Sequence, residues 1–280
     1  MEVSTPMQWN ALLSDPTGRR TDKPRLLGKT MVIDKGLGLH ALEDLLQTAG
    51  AYIDMLKIGF GTSPLYMTDL LKKKIKMAKA YDITVYPGGT FLEVAIRQDA
   101  VDDYFDMAAH LGFNGVEISD GTIEVSRSLR SELIRRSLSE GLMVITEYGK
   151  KGWGSSIEIE ELIETVTIDS QLGASLITIE GRESGKGVGI YDANGACKDE
   201  EIEKVLKQVP SPDLLLWEAP QKDQQVHLLQ MLGTEIHLGN IAPSDVISLE
   251  ALRRGLRSDT LLLADMPKQG SSYHSFNWQI

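Results

Sequence analysis

The segment MVITEYGKK, residues 143–151, begins as an apolar strand and ends in charged side chains. Its first three residues are apolar, and such a run is typical of a buried β-strand. It ends in Glu147, Gly149, Lys150 and Lys151, whereas a strand with a purely structural role would stop at a polar turn. This ending indicates either chemistry at the carboxyl end of the strand or a solvated turn, and the other strands decide between the two.

The same succession of an apolar strand, a charged or Gly-rich turn and an amphipathic helix occurs eight times. The predicted strands are residues 30–34, 53–58, 83–86, 116–119, 143–147, 176–180, 214–218 and 235–238. Between them, segments such as 42–50, 67–82 and 157–174 have apolar residues at three- and four-residue spacing, which predicts helices. Alternating strands and helices predict parallel βαβ units, and eight such units predict a closed (β/α)₈ TIM barrel.

A doubly wound open sheet is the alternative with the same alternation of elements. Such a sheet usually has a dinucleotide-binding fingerprint after its first strand, and the turn DKGLGLH at 34–40 lacks the third glycine at the required spacing. The sequence therefore favours a single α/β barrel domain over residues 26–262. Residues 1–25, which contain three prolines, are predicted to form an irregular N-terminal arm, and residues 263–280 a C-terminal tail.

Composition excludes several kinds of partner and site. The chain has 280 residues, of which 42% are hydrophobic, and its formal net charge of −11 argues against a nucleic-acid or anionic-membrane partner. No apolar run approaches the length of a membrane span, about 18 residues, and the start MEVSTPMQWN lacks the basic and apolar regions of a signal peptide. Cys197 is the single cysteine, which excludes an intrachain disulfide and a multi-cysteine zinc site. We therefore expect a cytoplasmic protein in which Cys197 has no chemical role.

Alternation along the strands predicts which charged side chains point into the barrel. Residues that face the helices must be apolar, so the residues between them point inward. This rule places six charged residues inside, near the C-terminal mouth: Lys57, Glu117, Glu147, Glu180, Arg182 and Glu218. Six converging charges would be very costly to desolvate without a compensating ligand or metal, so the arrangement favours a functional site over a structural ion pair.

Loops at the predicted mouth could also bind an anion. PGGT at 87–90 and GRESGKGVG at 181–189 are Gly-rich and can bring backbone amides close to a ligand, although neither matches a Walker A loop. After the eighth strand, LGNIAPSD at 238–245 places Gly239 and Asn240 just ahead of a predicted helix, where this fold commonly holds phosphate. Asn240 is therefore either a phosphate ligand or a turn residue.

Motifs along most of the chain resemble those of the phosphosulfolactate synthase family. In chain order they are DKGLG at 34–38, KIGFGTS at 57–63, VYPGGT at 85–90, VEISDGTI at 116–123, EYGKK at 147–151, EGRESGKGVG at 180–189, EAPQKDQQV at 218–226, LGNIAP at 238–243 and LEALRRGLRSDT at 249–260. The resemblance covers about residues 24–260. It implies a (β/α)₈ barrel and a carbon–sulfur lyase that adds sulfite to phosphoenolpyruvate with Mg²⁺, giving (2R)-2-phospho-3-sulfolactate. Tyr148 departs from the archaeal motif, which often has Val there.

The resemblance also implies roles for the charged residues. Mg²⁺ would hold the negative charge that develops on the substrate carboxylate, and two or three of four residues would bind it: Glu117, Glu147, Glu180 and Glu218. Lys35, Lys57 and Arg182 would neutralise phosphate and sulfite. Lys150 is the first candidate, and Lys151 the second, for the general acid that protonates C2, because neighbouring cations would lower the pKa of such a lysine.

Two other classes of function stay open. A class I aldolase or lyase of a keto-acid would form a Schiff base through a lysine such as Lys57 and would need no metal. A catalytically divergent family member would keep the fold but act as a stress-related binding protein, as plant relatives linked to heat stress allow. We expect small-molecule substrates. The aromatic residues of the tail either belong to a frayed terminus or pack on a neighbouring subunit of a homo-oligomer; they are Tyr273, His274, Phe276 and Trp278.

Overall fold

Eight parallel strands form one nearly closed barrel in the computed structural model, which describes residues 9–265. The strands are β1 (Thr30–Asp34), β2 (Met55–Ile58), β3 (Thr84–Pro87), β4 (Gly115–Ile118), β5 (Met143–Tyr148), β6 (Leu176–Ile179), β7 (Leu215–Glu218) and β8 (His237–Ile241). Every predicted strand is present, with its ends shifted by a few residues at most. The prediction of a (β/α)₈ barrel is confirmed.

A short exposed helix, α1, precedes β1, and helices α2 to α10 follow the strands and cover the outside of the barrel. They are α1 (Ala11–Ser14), α2 (Leu39–Ala49), α3 (Thr68–Lys79), α4 (Gly89–Arg97), α5 (Val101–Leu111), α6 (Arg127–Ser139), α7 (Ile159–Leu172), α8 (Asp199–Gln208), α9 (Lys222–Leu232) and α10 (Val246–Arg253). The unit between β3 and β4 contains two helices, α4 and α5, instead of one. Within residues 9–265, no helix is long and apolar enough to cross a membrane.

The inside of the barrel has an apolar floor. Met31, Met55, Ile145 and Leu216 are buried there in one cluster with Tyr86 and Leu176. Side chains alternate along a strand, so residues two positions later point into the same interior about 7 Å nearer the C-terminal mouth. The floor therefore excludes water from below the residues at those later positions, which include three of the six predicted charged residues: Lys57, Glu147 and Glu218.

The barrel has one weak seam, between β3 and β4. These two strands stand at the ends of the hydrogen-bonded order β3-β2-β1-β8-β7-β6-β5-β4. Asn114 bridges them through two hydrogen bonds. Its side-chain Oδ1 accepts from the Val85 backbone amide at 2.7 Å, and its backbone amide donates to the Val85 carbonyl at 3.2 Å. The strands also approach closely, since a Cβ on Gly115 would lie 2.8 Å from Thr84 Cγ2. At the seam, the hydrogen bonds of Asn114 thus partly replace the backbone ladder that joins the other neighbouring strands.

The described part of the N-terminal arm is attached to the opposite end of the barrel. The Lys23 ammonium donates to three backbone carbonyls, those of Gly50, Ile53 and Tyr81, at 3.1, 2.5 and 2.7 Å. Arg25 donates to the carbonyl of Ala51 at 2.7 Å. Most of these carbonyls follow α2 and α3, where helix ends leave acceptors without partners. Residues 1–8 of the arm, and the tail from residue 266 with its aromatic side chains, lie outside the described residues.

The seam gives a stability prediction. Asn114→Ala should lower the free energy of unfolding by about 1–3 kcal/mol, because the buried Val85 amide loses its acceptor. Urea denaturation followed by circular dichroism measures this change. Asn194→Ala is the matched control, since Asn194 is exposed and its truncation should change stability by less than about 0.5 kcal/mol. Equal effects of the two substitutions would show that Asn114 does not hold the seam.

Candidate active site

Lys57 lies among three buried carboxylates at the mouth of the barrel. Its Nζ is 2.9 Å from Glu117 Oε2, 3.3 Å from Glu218 Oε1 and 3.6 Å from Glu147 Oε2. The Lys57 side chain is 9% exposed and those of the three glutamates 1% or less. All four point into the barrel, as strand alternation predicts. With all groups ionised, the carboxylates exceed the ammonium charge, so the mouth attracts a further cation.

The strands place these four side chains directly above the apolar floor. Lys57, Glu147 and Glu218 each stand two residues after a floor residue, which is Met55, Ile145 or Leu216 respectively. Lys57 is also fixed laterally, because β2 pairs in register with β1 on one side and with β3 on the other. The backbone of Lys57 is therefore held by two strand ladders, and its ammonium by the three carboxylates.

Lys151 adds a second ammonium on the outer side of the cluster. Its Nζ is 2.7 Å from Glu147 Oε1 and 3.4 Å from Glu180 Oε2. Its side chain is 26% exposed, so it borders the solvent-filled mouth. The hydroxyl of Thr90, at the start of α4, lies 3.5 Å from the same nitrogen. Lys151 therefore joins β5, the β6 end and α4 at one point.

Backbone amides hold the carboxylates in place. The Gly89 amide donates to Glu117 Oε2 at 2.7 Å, and the Gly181 amide donates to Glu218 Oε2 at 3.0 Å. Glycine is required at position 89, because a Cβ there would lie 2.6 Å from Ser119 Oγ. The two Gly-rich loops thus support the glutamates in this structure.

Burial and neighbouring charges separate the pKa values of the glutamates. Burial, together with Glu147 and Glu218, outweighs the Lys57 ammonium and raises the pKa of Glu117 to about 7. Burial acts on Glu147 in the same direction, but the ammonium groups of Lys151 and Lys57 prevail and lower its pKa to about 2. Burial and two adjacent carboxylates raise the pKa of Glu180 well above its usual value. The site can therefore hold ionised and protonated carboxyl groups side by side at neutral pH.

The two lysines of the cluster keep their protons. Burial opposes this, but three carboxylates raise the pKa of Lys57 well above its usual value. Glu147 and Glu180 likewise outweigh burial and raise the pKa of Lys151. The expectation that neighbouring cations lower the pKa of the proton-donating lysine is wrong for Lys151, because its nearest charged neighbours are carboxylates. A Schiff base requires a neutral amine, so the charge on Lys57 opposes the aldolase alternative.

Three predicted residues lie away from the carboxylates. Lys150 is half exposed, and its Nζ donates to the Asp120 carbonyl at 2.9 Å. Lys35 pairs with Glu183 at 2.7 Å on the exposed rim. Arg182 is exposed, because its φ of 60° turns the chain after β6 and ends the alternation that placed its side chain inside.

Gly239 and Asn240 lie within β8, where the sequence predicted a turn. Residues 30 and 32 of β1 pair with residues 238 and 241 of β8, so β8 contains one extra residue, which defines a β-bulge. Asn240 has a φ of 54°, a conformation that asparagine tolerates better than most residues. Its side-chain amide donates to the Arg182 carbonyl at 3.3 Å, while its buried Oδ1 has no partner among the described residues.

Sequence reasoning missed two buried groups beside the cluster. Tyr86 points inward from β3, and its hydroxyl has no hydrogen-bond partner among the described residues. Glu93 on α4 accepts from the Ser119 hydroxyl at 2.5 Å and from the Thr122 amide at 3.2 Å. The alternation rule could have found Tyr86 in VYPGG, whereas no periodicity signals that a helix residue such as Glu93 turns toward the mouth.

The carboxylates fit a hard cation only in part. Glu117 Oε1, Glu147 Oε2 and Glu180 Oε2 have no hydrogen-bond partner in the described chain. However, Lys57 already lies among three of the glutamates, and residues 9–265 contain no group of three or more His, Cys, Asp or Glu that could hold a metal ion. Mg²⁺ is commonly held by one or two carboxylates, with water and substrate phosphate completing its shell. Glu147 and Glu180, on the open side, fit that pattern as a pair.

The fold and the position of the carboxylate cluster define the class of protein. Barrel enzymes build their active sites at the C-terminal mouth, which is where this cluster lies, so the chain has the layout of a (β/α)₈ barrel enzyme. Among solved structures, it is similar to the YdjI aldolase from Escherichia coli K12, with a TM-score of 0.54 and 13% identity, covering 86% of this chain and 85% of that chain. At this identity the likeness shows the fold alone.

The family follows from closer relatives. Residues 18–259 match the family described as (2R)-phospho-3-sulfolactate synthase (ComA). The chain is 42% identical to the phosphosulfolactate synthase of Methanothermobacter thermautotrophicus over 88% of this chain and 95% of that protein. It is 43% identical to the phosphosulfolactate synthase of Methanocaldococcus jannaschii over 83% of this chain and 93% of that protein. The chain belongs to the (2R)-phospho-3-sulfolactate synthase family, which confirms the resemblance inferred from its motifs.

The raised pKa of Glu117 predicts how stability depends on pH. The folded state retains this proton up to about pH 7, whereas the ordinary carboxyl value is 4.5, so stability should fall as pH rises through that interval. The loss is of order 3 kcal/mol when complete. Glu117→Gln should remove this component while keeping an acceptor for the Gly89 amide. Glu180 should contribute a loss of the same sign.

Urea unfolding at pH 5 and pH 8 measures the difference. Glu43→Gln, an exposed carboxyl on α2, is the control and should retain the pH dependence of the unmodified protein. If Glu117→Gln and Glu43→Gln lose stability equally between the two pH values, Glu117 does not hold a proton in the folded state.

Proposed function

We propose that this protein is a phosphosulfolactate synthase, which adds sulfite to phosphoenolpyruvate. The observation that supports this most is the pairing of family membership with a buried lysine–glutamate cluster at the barrel mouth. In the reaction, sulfite sulfur attacks C3, the carbon–carbon π electrons move toward C2 and the substrate carboxylate, and a proton is added at C2. The site must therefore bind two anions, stabilise a developing negative charge and supply one proton.

Lys151 is the proton donor in this proposal. Its ammonium borders the open mouth, and two carboxylates raise its pKa, so it is fully protonated before the reaction. Because the Lys151 side chain is 26% exposed, water can return a proton to the amine after each transfer. Lys150, the first candidate from sequence, donates to the Asp120 carbonyl and lies 3.8 Å from the Asp120 carboxylate rather than beside the glutamates of the cluster, so it fits the role less well.

The exposed cations of the rim would bind the substrates. Lys35, Lys150 and Arg182 are exposed around the mouth and can approach phosphate and sulfite without desolvation. Lys57, which is buried and held by three carboxylates, instead fixes the orientation of Glu147. The free Oδ1 of Asn240 can only accept a hydrogen bond, so in this orientation it offers phosphate no donor. The positive φ of Asn240 at the β8 bulge fits a structural role.

Mg²⁺ is proposed as the cofactor, held by Glu147 and Glu180. When bound, it would neutralise the substrate carboxylate as negative charge develops there. Lys151 now occupies the position beside both glutamates, so metal binding would require its ammonium to move toward the mouth. The homo-oligomer and the cytoplasmic location stay predictions from the sequence.

The reaction itself gives the first test of the function. Phosphorus NMR of the protein with phosphoenolpyruvate, sulfite and Mg²⁺ should show a new phosphate-ester resonance. The resonance should be absent when any one component is left out. Absence of product across a range of sulfite concentrations and divalent metals would favour the divergent, non-catalytic alternative.

Paired lysine substitutions test the proton donor. Lys151→Ala should lower kcat by roughly 10²- to 10⁴-fold, the usual contribution of a placed general acid, with little change in the Kd of phosphoenolpyruvate. Lys150→Ala is the matched control and should change kcat by less than tenfold. A larger kcat loss in Lys150→Ala than in Lys151→Ala would reverse the assignment. Rapid-quench turnover and calorimetric titration separate the two parameters.

Glu180→Gln tests the metal assignment. The substitution keeps the shape of the side chain but removes a ligand charge, so the Mg²⁺ concentration for half-maximal activity should rise at least tenfold. Stability should hold or increase, because one member of a like-charged cluster is removed. Mg²⁺ titration of activity and urea unfolding measure the two effects. Unfolding of the variant would instead make Glu180 part of a structural ion pair.

A further inference from the structure

The loop between β4 and α6, residues 119–126, packs against the segment that carries Lys151. The Lys151 amide donates to the Gly121 carbonyl at 3.1 Å. A Cβ on Gly121 would lie 3.1 Å from Lys151 Cγ, 3.2 Å from Lys151 Cδ and 3.1 Å from the Gly149 carbonyl oxygen. The aliphatic stem of the Lys151 side chain therefore lies directly on the Gly121 backbone.

This contact, rather than the backbone conformation, explains why position 121 is a glycine. Gly121 does not have a positive φ, so an alanine could adopt its backbone conformation without strain. Carbon atoms in contact prefer a separation of about 3.5–4.0 Å, so a methyl group at position 121 would push the Lys151 stem aside. The missing side chain therefore leaves the space in which the stem of Lys151 lies.

A buried carboxylate on α4 holds the β4–α6 loop from one side. Glu93 is 2% exposed, and it accepts from the Ser119 hydroxyl at 2.5 Å and from the Thr122 amide at 3.2 Å. Residues 120 and 121 lie between these two contacts. Helix α4 therefore fixes both ends of the short stretch that contacts Lys151.

A buried guanidinium on α6 holds the β4–α6 loop from the other side. Arg130 is 3% exposed, and its Nε donates to Asp169 Oδ2 on α7 at 2.9 Å. Its Nη2 donates to the Glu147 carbonyl at 3.1 Å, and its Nη1 lies 3.6 Å from Asp120 Oδ1. Because one guanidinium contacts both segments, the loop and the end of β5 are held as one unit.

We propose that Gly121 is a positioning residue for Lys151, and that the β4–α6 loop directs the Lys151 ammonium to Glu147 and Glu180. The inference rests on the proposed role of Lys151 as proton donor. The loop acts through Lys151 and does not itself touch the reacting atoms. A general acid must lie within about 2.6–3.2 Å of the atom that it protonates, so displacing the stem should impair proton transfer more than substrate binding.

Gly121→Ala tests the contact with one added methyl group. It should lower kcat about tenfold and change the Kd of phosphoenolpyruvate by less than about twofold. Gly152→Ala is the matched control, because Gly152 directly follows Lys151, has no positive φ and has nothing within 4 Å of an added Cβ. Its kcat should equal that of the unmodified protein. An unchanged kcat in Gly121→Ala, or an equal loss of kcat and of affinity, would overturn the proposal.

Ser119→Ala loosens the loop without adding bulk beside Lys151. It removes one of the two groups that donate to Glu93, so kcat should fall roughly two- to fivefold while the Kd of phosphoenolpyruvate stays unchanged. Ser128→Ala, an exposed serine on α6, is the control and should keep the kcat of the unmodified protein. Equal kcat values for the two serine variants would show that the loop does not direct Lys151.

The position of the Lys151 ammonium can be measured without substrates. Burial opposes it, but Glu147 and Glu180 raise the pKa of Lys151, so moving the ammonium away from them should lower this pKa toward the ordinary lysine value. In protein with isotope-labelled lysine, the Lys151 Cε resonance is identified by its loss in Lys151→Arg. Its titration should begin about 0.5 pH unit or more lower in Gly121→Ala than in the unmodified protein, whereas Gly152→Ala should match the unmodified protein.

This titration separates the positioning role from the proposed function. A lower titration in Gly121→Ala supports the positioning role even if the unmodified protein makes no phosphosulfolactate. A titration that is the same in Gly121→Ala, Gly152→Ala and the unmodified protein overturns the positioning role, whatever the activity of the variants.

Discussion

A single buried ammonium determines how the mouth of this barrel is organised. Three glutamates surround Lys57 within 3.6 Å, and a carboxylate this deeply buried cannot stay ionised without a nearby cation. Because Lys57 compensates only part of their charge, the remaining glutamates compete for protons and for Lys151. This competition separates their pKa values, and the separation lets one small site hold a carboxylate, a carboxylic acid and two ammonium groups together. Removing Lys57 would change every other protonation state in the cluster.

Both the strands and the loops that follow them position the residues of the site. The strands place Lys57, Glu117, Glu147 and Glu218 inside the barrel mouth, where all four are buried. The Gly-rich turns then hold Glu117 and Glu218 through the Gly89 and Gly181 amides, and the chain after β5 brings Lys151 back over the glutamates. A rigid inner layer and a loop-built outer layer suit an enzyme that must keep buried charges fixed while it admits anionic substrates.

The sequence predicts the regular part of this structure and fails where regularity ends. All eight strands and the inward direction of Lys57, Glu117, Glu147 and Glu218 follow from apolar alternation, because the covering helices and the floor impose it. The order of Lys150 and Lys151 does not follow, because Gly149 has a φ of 127° and breaks the extended geometry on which alternation depends. The predicted inward direction of Arg182 is wrong for the same reason, because its φ of 60° also breaks the extended geometry. The bulge at Asn240 and the seam at Asn114 depend on single side-chain amides that produce no periodic signal.

Closure of the barrel requires pairing between its first and last strands, which the ribosome makes at very different times. β1 pairs with β8, and the amide of Lys29 bonds to His237, which is 208 residues further along the chain. Ribosomes add about 5–20 residues per second, so one edge of β1 stays unpaired for roughly 10–40 s after it emerges. An unpaired strand edge is a template for wrong pairing with other chains. The chain therefore spends most of its synthesis as an open sheet, and the free edge of β1 is exposed to wrong pairing until β8 is made.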